Sequence, residues 1–270
     1  MENVLERLKT GWAFAWRIEN IKPYLAVYSL FLALLLAGVV FYANDLLAAF
    51  AAASAGNAAA FVGVAFVSLG LLFIWLCAFL LSSIYADAAV ILHAGESDAH
   101  ARERYPALFG VMVLVALAQI VLSALLSPLQ GEGFGRVLQL LINFGLAGCF
   151  ILAPYAAVLN RKGSFASISE GAKSFVARPL NILGNLLASV VASLVLAALG
   201  FAVFVGLALI ALATLDSPLF ALFGTLAFVE FVWFASFVQG FQKGYWTKYY
   251  LGANKPVRAP KPRAKAKKKK

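Results

Sequence analysis

Leu180 to Leu212 reads LNILGNLLASVVASLVLAALGFAVFVGLALIAL, more than 30 residues without one charged side chain. A bilayer core of about 30 Å needs about 20 apolar residues in a helix, so this run is more than sufficient to cross one. Backbone groups in lipid must bond within a helix or a closed barrel, and the run is far too long for a barrel strand. The same reading gives further spans at Pro23–Ala43, Ala60–Ser82, Pro106–Leu126, Val137–Leu159 and Pro218–Phe241. Six helices follow. The Leu180 run must tilt, kink or extend beyond the hydrocarbon, as must the second, which stays apolar to about Ala94.

Composition supports this. Of 270 residues, 63% are hydrophobic and 13% charged, against about half and about a quarter in soluble domains. So few polar side chains cannot cover a water-facing surface. Two cysteines, Cys77 and Cys149, exclude a disulfide scaffold and read as small packing residues. The fold class expected is an all-α integral membrane protein.

Charge sets the orientation, because cytoplasmic segments retain Lys and Arg. Arg136 is the only basic residue on the side of Asp45, Glu132 and Asp216; the other 21 of 22 lie on the opposite side. Both termini are therefore expected in the cytoplasm and the protein in the cell membrane. The run from Tyr24 to Tyr42 exceeds a signal-peptide core, so the first span is read as uncleaved despite Ala51-Ala52-Ala53. Leu46 to Ala59 is compatible with a short helix on the external surface.

Three divisions result: residues 1–22 as a cytoplasmic helix, 23–252 as the transmembrane domain, and 253–270 as a disordered basic tail. In the first, Val4, Leu5, Leu8, Trp12 and Trp16 follow helical spacing, which predicts a helix lying in the interface with Trp12 and Trp16 as anchors at headgroup level. Ser167 to Val176 reads as a second such helix. Either helix could instead dock on the bundle. Pro23, Pro106 and Pro179 each precede an odd-numbered span, as first-turn prolines do. Ala88–Gly95 matches Ala156–Gly163 at an offset of 68, and Glu6, Lys9 and Thr10 match Glu170, Lys173 and Ser174 at 164. These matches are compatible with a threefold repeat of helical hairpins; chance alignment of alanine-rich helices is the competing explanation.

Four segments, Arg7–Trp12, Phe150–Tyr155, Ser167–Ser174 and Gln239–Tyr249, resemble the pattern of widespread prokaryotic six-span families of unknown function. Among them is the membrane domain fused to glycerophosphodiester phosphodiesterases. The resemblance implies a six-helix bundle and no activity; with no hydrolase domain attached, phosphodiesterase chemistry does not carry over.

Glu230 is the candidate intramembrane site. It lies twelve residues into its span, about 18 Å along the helix, where a charge costs at least about 2.5 to 3.5 kcal/mol. Gln119, Asn143, Asn185 and Ser189 are the neutral groups available to it. It reads either as a protonated group hydrogen-bonded between helices or as a proton- or ligand-responsive site. Asp87 should emerge near the interface, solvated or beside Arg161 or Arg178. His93, Glu96, His100 and Glu103 repeat a His-x-x-Glu spacing, but Gly95, Ser97 and Asp98 favour an ordinary polar loop over a metal site. No catalytic triad or phosphate loop is present in the sequence, and no cofactor is expected.

The tail carries Lys261, Arg263, Lys265, Lys267, Lys268, Lys269 and Lys270. It suits anionic lipid headgroups, with nonspecific nucleic-acid or ribosome contact as the other option and simple topogenic charge as the plainest. The function expected is a non-enzymatic scaffold or accessory protein at the cytoplasmic face, in contact with the bilayer and with other membrane proteins. The alternative is a transporter or lipid-handling protein that uses Glu230.

Overall fold

A computed structural model describes residues 4–54, 58–126 and 134–253, in which all regular structure is helical. The order is α1 (Val4–Ala15), α2 (Ile18–Ser54), α3 (Ala58–Ala94), α4 (Ala101–Leu126), α5 (Phe134–Phe150), α6 (Ala153–Leu159), α7 (Ser164–Ala177), α8 (Pro179–Ala213) and α9 (Leu219–Ala253). Among the described residues six segments are long and apolar enough to cross a membrane: α2, α3, α4, the α5–α6 run, α8 and α9. The chain is thus a multi-span helical membrane protein.

The helices extend well beyond the expected spans. α2 and α3 have 37 residues each, about 55 Å at 1.5 Å per residue. No separate external helix follows the first span, because residues 46–54 continue α2 without a break. Pro179 begins α8, as expected, but Pro23 and Pro106 are the sixth residues of α2 and α4. Helix formation starts earlier there, in Ile18–Lys22 and Ala101–Tyr105, and each proline only removes one donor from an otherwise continuous ladder. The fourth span is not one helix. α5 stops at Phe150 and α6 restarts at Ala153, with Pro154 in its first turn. Pro154 lacks the donor that would reach the Phe150 carbonyl, and its ring crowds that oxygen.

Large buried side chains gather at one end of the bundle. Ile91, Leu108, Leu152, Tyr155, Ile182, Tyr245, Trp246, Tyr249 and Tyr250 form the main cluster, and Ala15, Ile21, Leu196, Phe237 and Phe241 a second. The turn between α3 and α4, the α6–α7 segment, α1 and the end of α9 meet there; we call it the packed end. Towards the other end Val40, Phe41, Phe66, Phe73, Leu125 and Leu140 are exposed. Lipid tails solvate such residues as well as a protein core does, so apolar burial drives no closure in that half.

α1 and α7 are tied in by glycine. A Cβ on Gly11 would lie 2.9 Å from the Phe241 carbonyl oxygen of α9, and one on Gly171 would lie 2.7 Å from the Cys149 carbonyl oxygen of α5. Only hydrogen lets the backbones approach so closely. α1 therefore docks on α9, where Trp12 and Trp16 stack at 5.8 Å and set their rings edge-on to Phe237. The offset of 68 does not pair equivalent positions. Gly95 follows the end of α3, whereas Gly163 caps the start of α7. The left-handed residues Glu96 (φ 52°) and Arg161 (φ 54°), each two positions past a helix, are 65 apart.

Candidate functional site: a polar hub at the packed end

The last turns of α9 carry the chemistry. Lys243 ion-pairs with Asp87 of α3 at 2.8 Å, both side chains 14% exposed, and Tyr24 of α2 donates its hydroxyl to the same carboxylate. Three helices meet at this pair. Charges so enclosed are tolerable only when paired and hydrogen-bonded, and both conditions hold.

Two residues further along α9, the Tyr245 hydroxyl donates to Asn185 Oδ1 of α8 at 2.7 Å. Arg7 of α1 donates to the same oxygen at 2.8 Å, and its guanidinium lies over the Tyr249 ring, 4.7 Å from the centroid. Asn185 Nδ2 turns back to its own helix, donating to the Asn181 carbonyl at 2.7 Å. The stacked cation and the shared amide oxygen tie α1 to both α8 and α9.

The third connection is Tyr250, which donates to Glu170 Oε1 of α7 at 2.6 Å and accepts from Asn160 Nδ2 at 2.6 Å. Glu170 also ion-pairs with Lys162. Burial raises the affinity of Glu170 for a proton, but Lys162, Tyr250 and Asn160 together outweigh it and hold the carboxyl below its ordinary 4.5.

Beside this third connection a cleft of about 560 Å³ opens between α7 and the adjoining ends of α8 and α9. Its floor is Leu152, Ile182 and Tyr249, and its polar lining is Lys162, Ser169, Glu170, Lys173, Ser174 and Arg178. Three cations face one carboxylate. Lys173, Ser169 and Ser174 have no hydrogen-bond partner among the described residues, while Arg178 reaches the Ala253 carbonyl at 3.4 Å.

The residues singled out in the sequence do not assemble around Glu230. α8 and α9 run antiparallel with Gln242 donating to Ser193 at 3.0 Å and Phe204 against Phe231, so Glu230 lies level with Phe204. Its two carboxylate oxygens are enclosed and meet no hydrogen-bond partner among the described residues. Asn185 belongs to the hub, 19 residues from Phe204 along α8, about 29 Å away. Ser189 bonds its own helix at the Leu186 carbonyl. Gln119 and Asn143 are exposed on α4 and α5. Asp87 is neither solvated nor beside Arg161 or Arg178, because the length of α3 and α9 carries Lys243 to it. His93 lies in the last turn of α3 and Glu96 two residues beyond it, while His100 and Glu103 straddle the start of α4, and no cluster of metal-ligating side chains forms among the described residues. The basic residues from Lys261 to Lys270 lie outside the described residues.

Arg7, Tyr24, Asn160, Glu170, Lys243, Tyr245 and Tyr250 were not legible as a site. The available signal was a helix that continues past its apolar span with Lys243 and Tyr250 on one side and Tyr245 and Tyr249 on nearly the opposite one. No family model, curated protein or solved structure matches this chain.

Proposed function

We propose that this is a non-enzymatic protein of the cell membrane that acts as a scaffold or accessory protein at the cytoplasmic face, with the packed end and both termini inside. The observation that carries the reading is the hub. Three polar connections fix α1, α7 and the α3 end onto one stretch of α9, which makes a rigid face at the end holding every described basic residue except Arg136. Positive charge of that distribution favours the cytoplasmic side. Interfacial placement of α1 and α7, a threefold origin for the hairpins and kinship with the six-span families named above belong to the same proposal.

Transport is the weaker reading. A proton or ion path needs polar groups in succession, and Gln119, Asn143 and Asn185 are all placed away from Glu230. The test is photo-crosslinking in native membranes from Ser97 and Arg161, both exposed at the packed end, with Asp216 at the opposite end as reference. Discrete protein adducts from the first two and not the third are expected. Their absence at both positions would overturn the scaffold reading.

A further inference from the structure

We propose that the cleft between α7 and the ends of α8 and α9 binds the phosphate group of an anionic phospholipid, held by Lys173, Arg178 and Lys162 with the hydroxyls of Ser169 and Ser174.

The charge within the cleft is unbalanced. Glu170 neutralises Lys162, which leaves Lys173 and Arg178 without a carboxylate among the lining residues. Ala253 is part of the wall, and residues 254–270 contain no acidic side chain. Lys173 and Arg178 are both exposed, open to an anion supplied from outside the chain. Ser169 and Lys173, one helical turn apart, add a hydroxyl and three ammonium donors on the same arc of α7. Arg178 caps α8, whose unbonded first-turn N–H groups favour negative charge.

Lipid is favoured over a soluble phosphate by what flanks the cleft. Phe165 and Val176 on α7 are each 77% exposed, and Leu180 at the start of α8 is 85% exposed. Apolar side chains so exposed beside a cationic cleft belong at the boundary between acyl chains and headgroups. The floor of Leu152, Ile182 and Tyr249 accepts the glycerol and upper acyl region while the rim holds the phosphate. A volume of about 560 Å³ suits a group of that size.

The proposal rests on the membrane reading and not on the scaffold role, so crosslinking and lipid binding can fail separately. The experiment is native mass spectrometry of the full-length, delipidated protein titrated with phosphatidylglycerol, phosphatidylcholine or glycerol phosphate. Retained phosphatidylglycerol adducts are expected. They should weaken about fivefold for each charge removed in Lys173→Gln/Arg178→Gln, and much less in Lys9→Gln/Arg102→Gln, which removes two exposed charges outside the cleft. Ala166→Trp fills the cleft with charge unchanged and should displace the lipid even if the double variant folds poorly. Equal adducts in the cleft and control variants, or equal binding of phosphatidylcholine, would overturn the site. Glycerol phosphate binding as tightly as phosphatidylglycerol would overturn the lipid assignment.

Discussion

Asp87 and Lys243, 156 residues apart in the chain, meet at 2.8 Å inside the hub with the Tyr24 hydroxyl on the same carboxylate. Removing one partner leaves the other enclosed and unpaired, which costs about 3 kcal/mol or more. Lys243→Met should therefore lower the melting temperature in detergent substantially. Asp87→Asn/Lys243→Gln should recover part of the loss, because the amides still bond each other and Tyr24. A double variant as damaged as the single one would show that the pair is not the source of the stability.

Gly11 allows α1 to lie directly on the Phe241 backbone. Gly11→Ala forces a Cβ into a gap that only a shift of the helix can widen, a cost of about 1 to 3 kcal/mol. The expected signature is local: faster hydrogen exchange in residues 4–15 with α8 and α9 unchanged. Gly38→Ala is the reference, since nothing lies within 4 Å of its added methyl and alanine is the better helix former. Equal exchange in α1 for both variants would mean that the close approach does not matter.

The spans were legible because lipid imposes length and apolarity on each helix locally. The hub was not, because its members run from Arg7 to Tyr250 and no short spacing links them; only the packing of α1, α3 and α7 on α9 brings them together. Glu230 drew attention for a sound reason, the cost of a carboxylate at depth, but a lone sequence position cannot reveal that its neighbours on α8 include Phe204 and not Asn185. Proline placement misled in a different way. Pro23 and Pro106 mark where apolar sequence begins, whereas the helices begin five residues earlier, at Ile18 and Ala101.

Glu170 makes the tie between α7 and α9 sensitive to acid. Its carboxyl titrates below its ordinary 4.5 in the folded protein, so its stabilising contribution is complete above that value and lost as pH falls through the depressed one. Wild type should melt above Glu170→Gln at neutral pH, with a constant difference down to about pH 4.5 and a closing one below it. A difference that stays constant to pH 3, or widens, would contradict the assigned pairing with Lys162 and Tyr250.

The proposed orientation rests on the distribution of basic residues and is directly measurable. Single cysteines at Asn44 and Ser217, on a background with Cys77 and Cys149 replaced, should react with an impermeant maleimide added to intact cells. Cysteines at Ser97, Lys162 and Lys248 should react only after permeabilisation. Labelling of the second group from outside would reverse the bundle and place the cationic cleft on the external leaflet.

Glu230 separates packing from coupling. Both of its oxygens are enclosed on α9 without a hydrogen-bond partner among the described residues, so Glu230→Leu removes an unsatisfied polar group and keeps apolar volume. The melting temperature should hold or rise. Glu230→Gln should bring no such gain, because its amide is enclosed in the same partnerless place. If leucine instead destabilises the protein, Glu230 has a partner in the membrane that a single copy does not supply, such as a water or a second molecule. Function gives the second arm. A scaffold tolerates Glu230→Gln, whereas a proton-coupled transporter loses its titration and with it the activity. Failure of a stable Glu230→Gln variant to complement a deletion would sink the scaffold reading and restore transport.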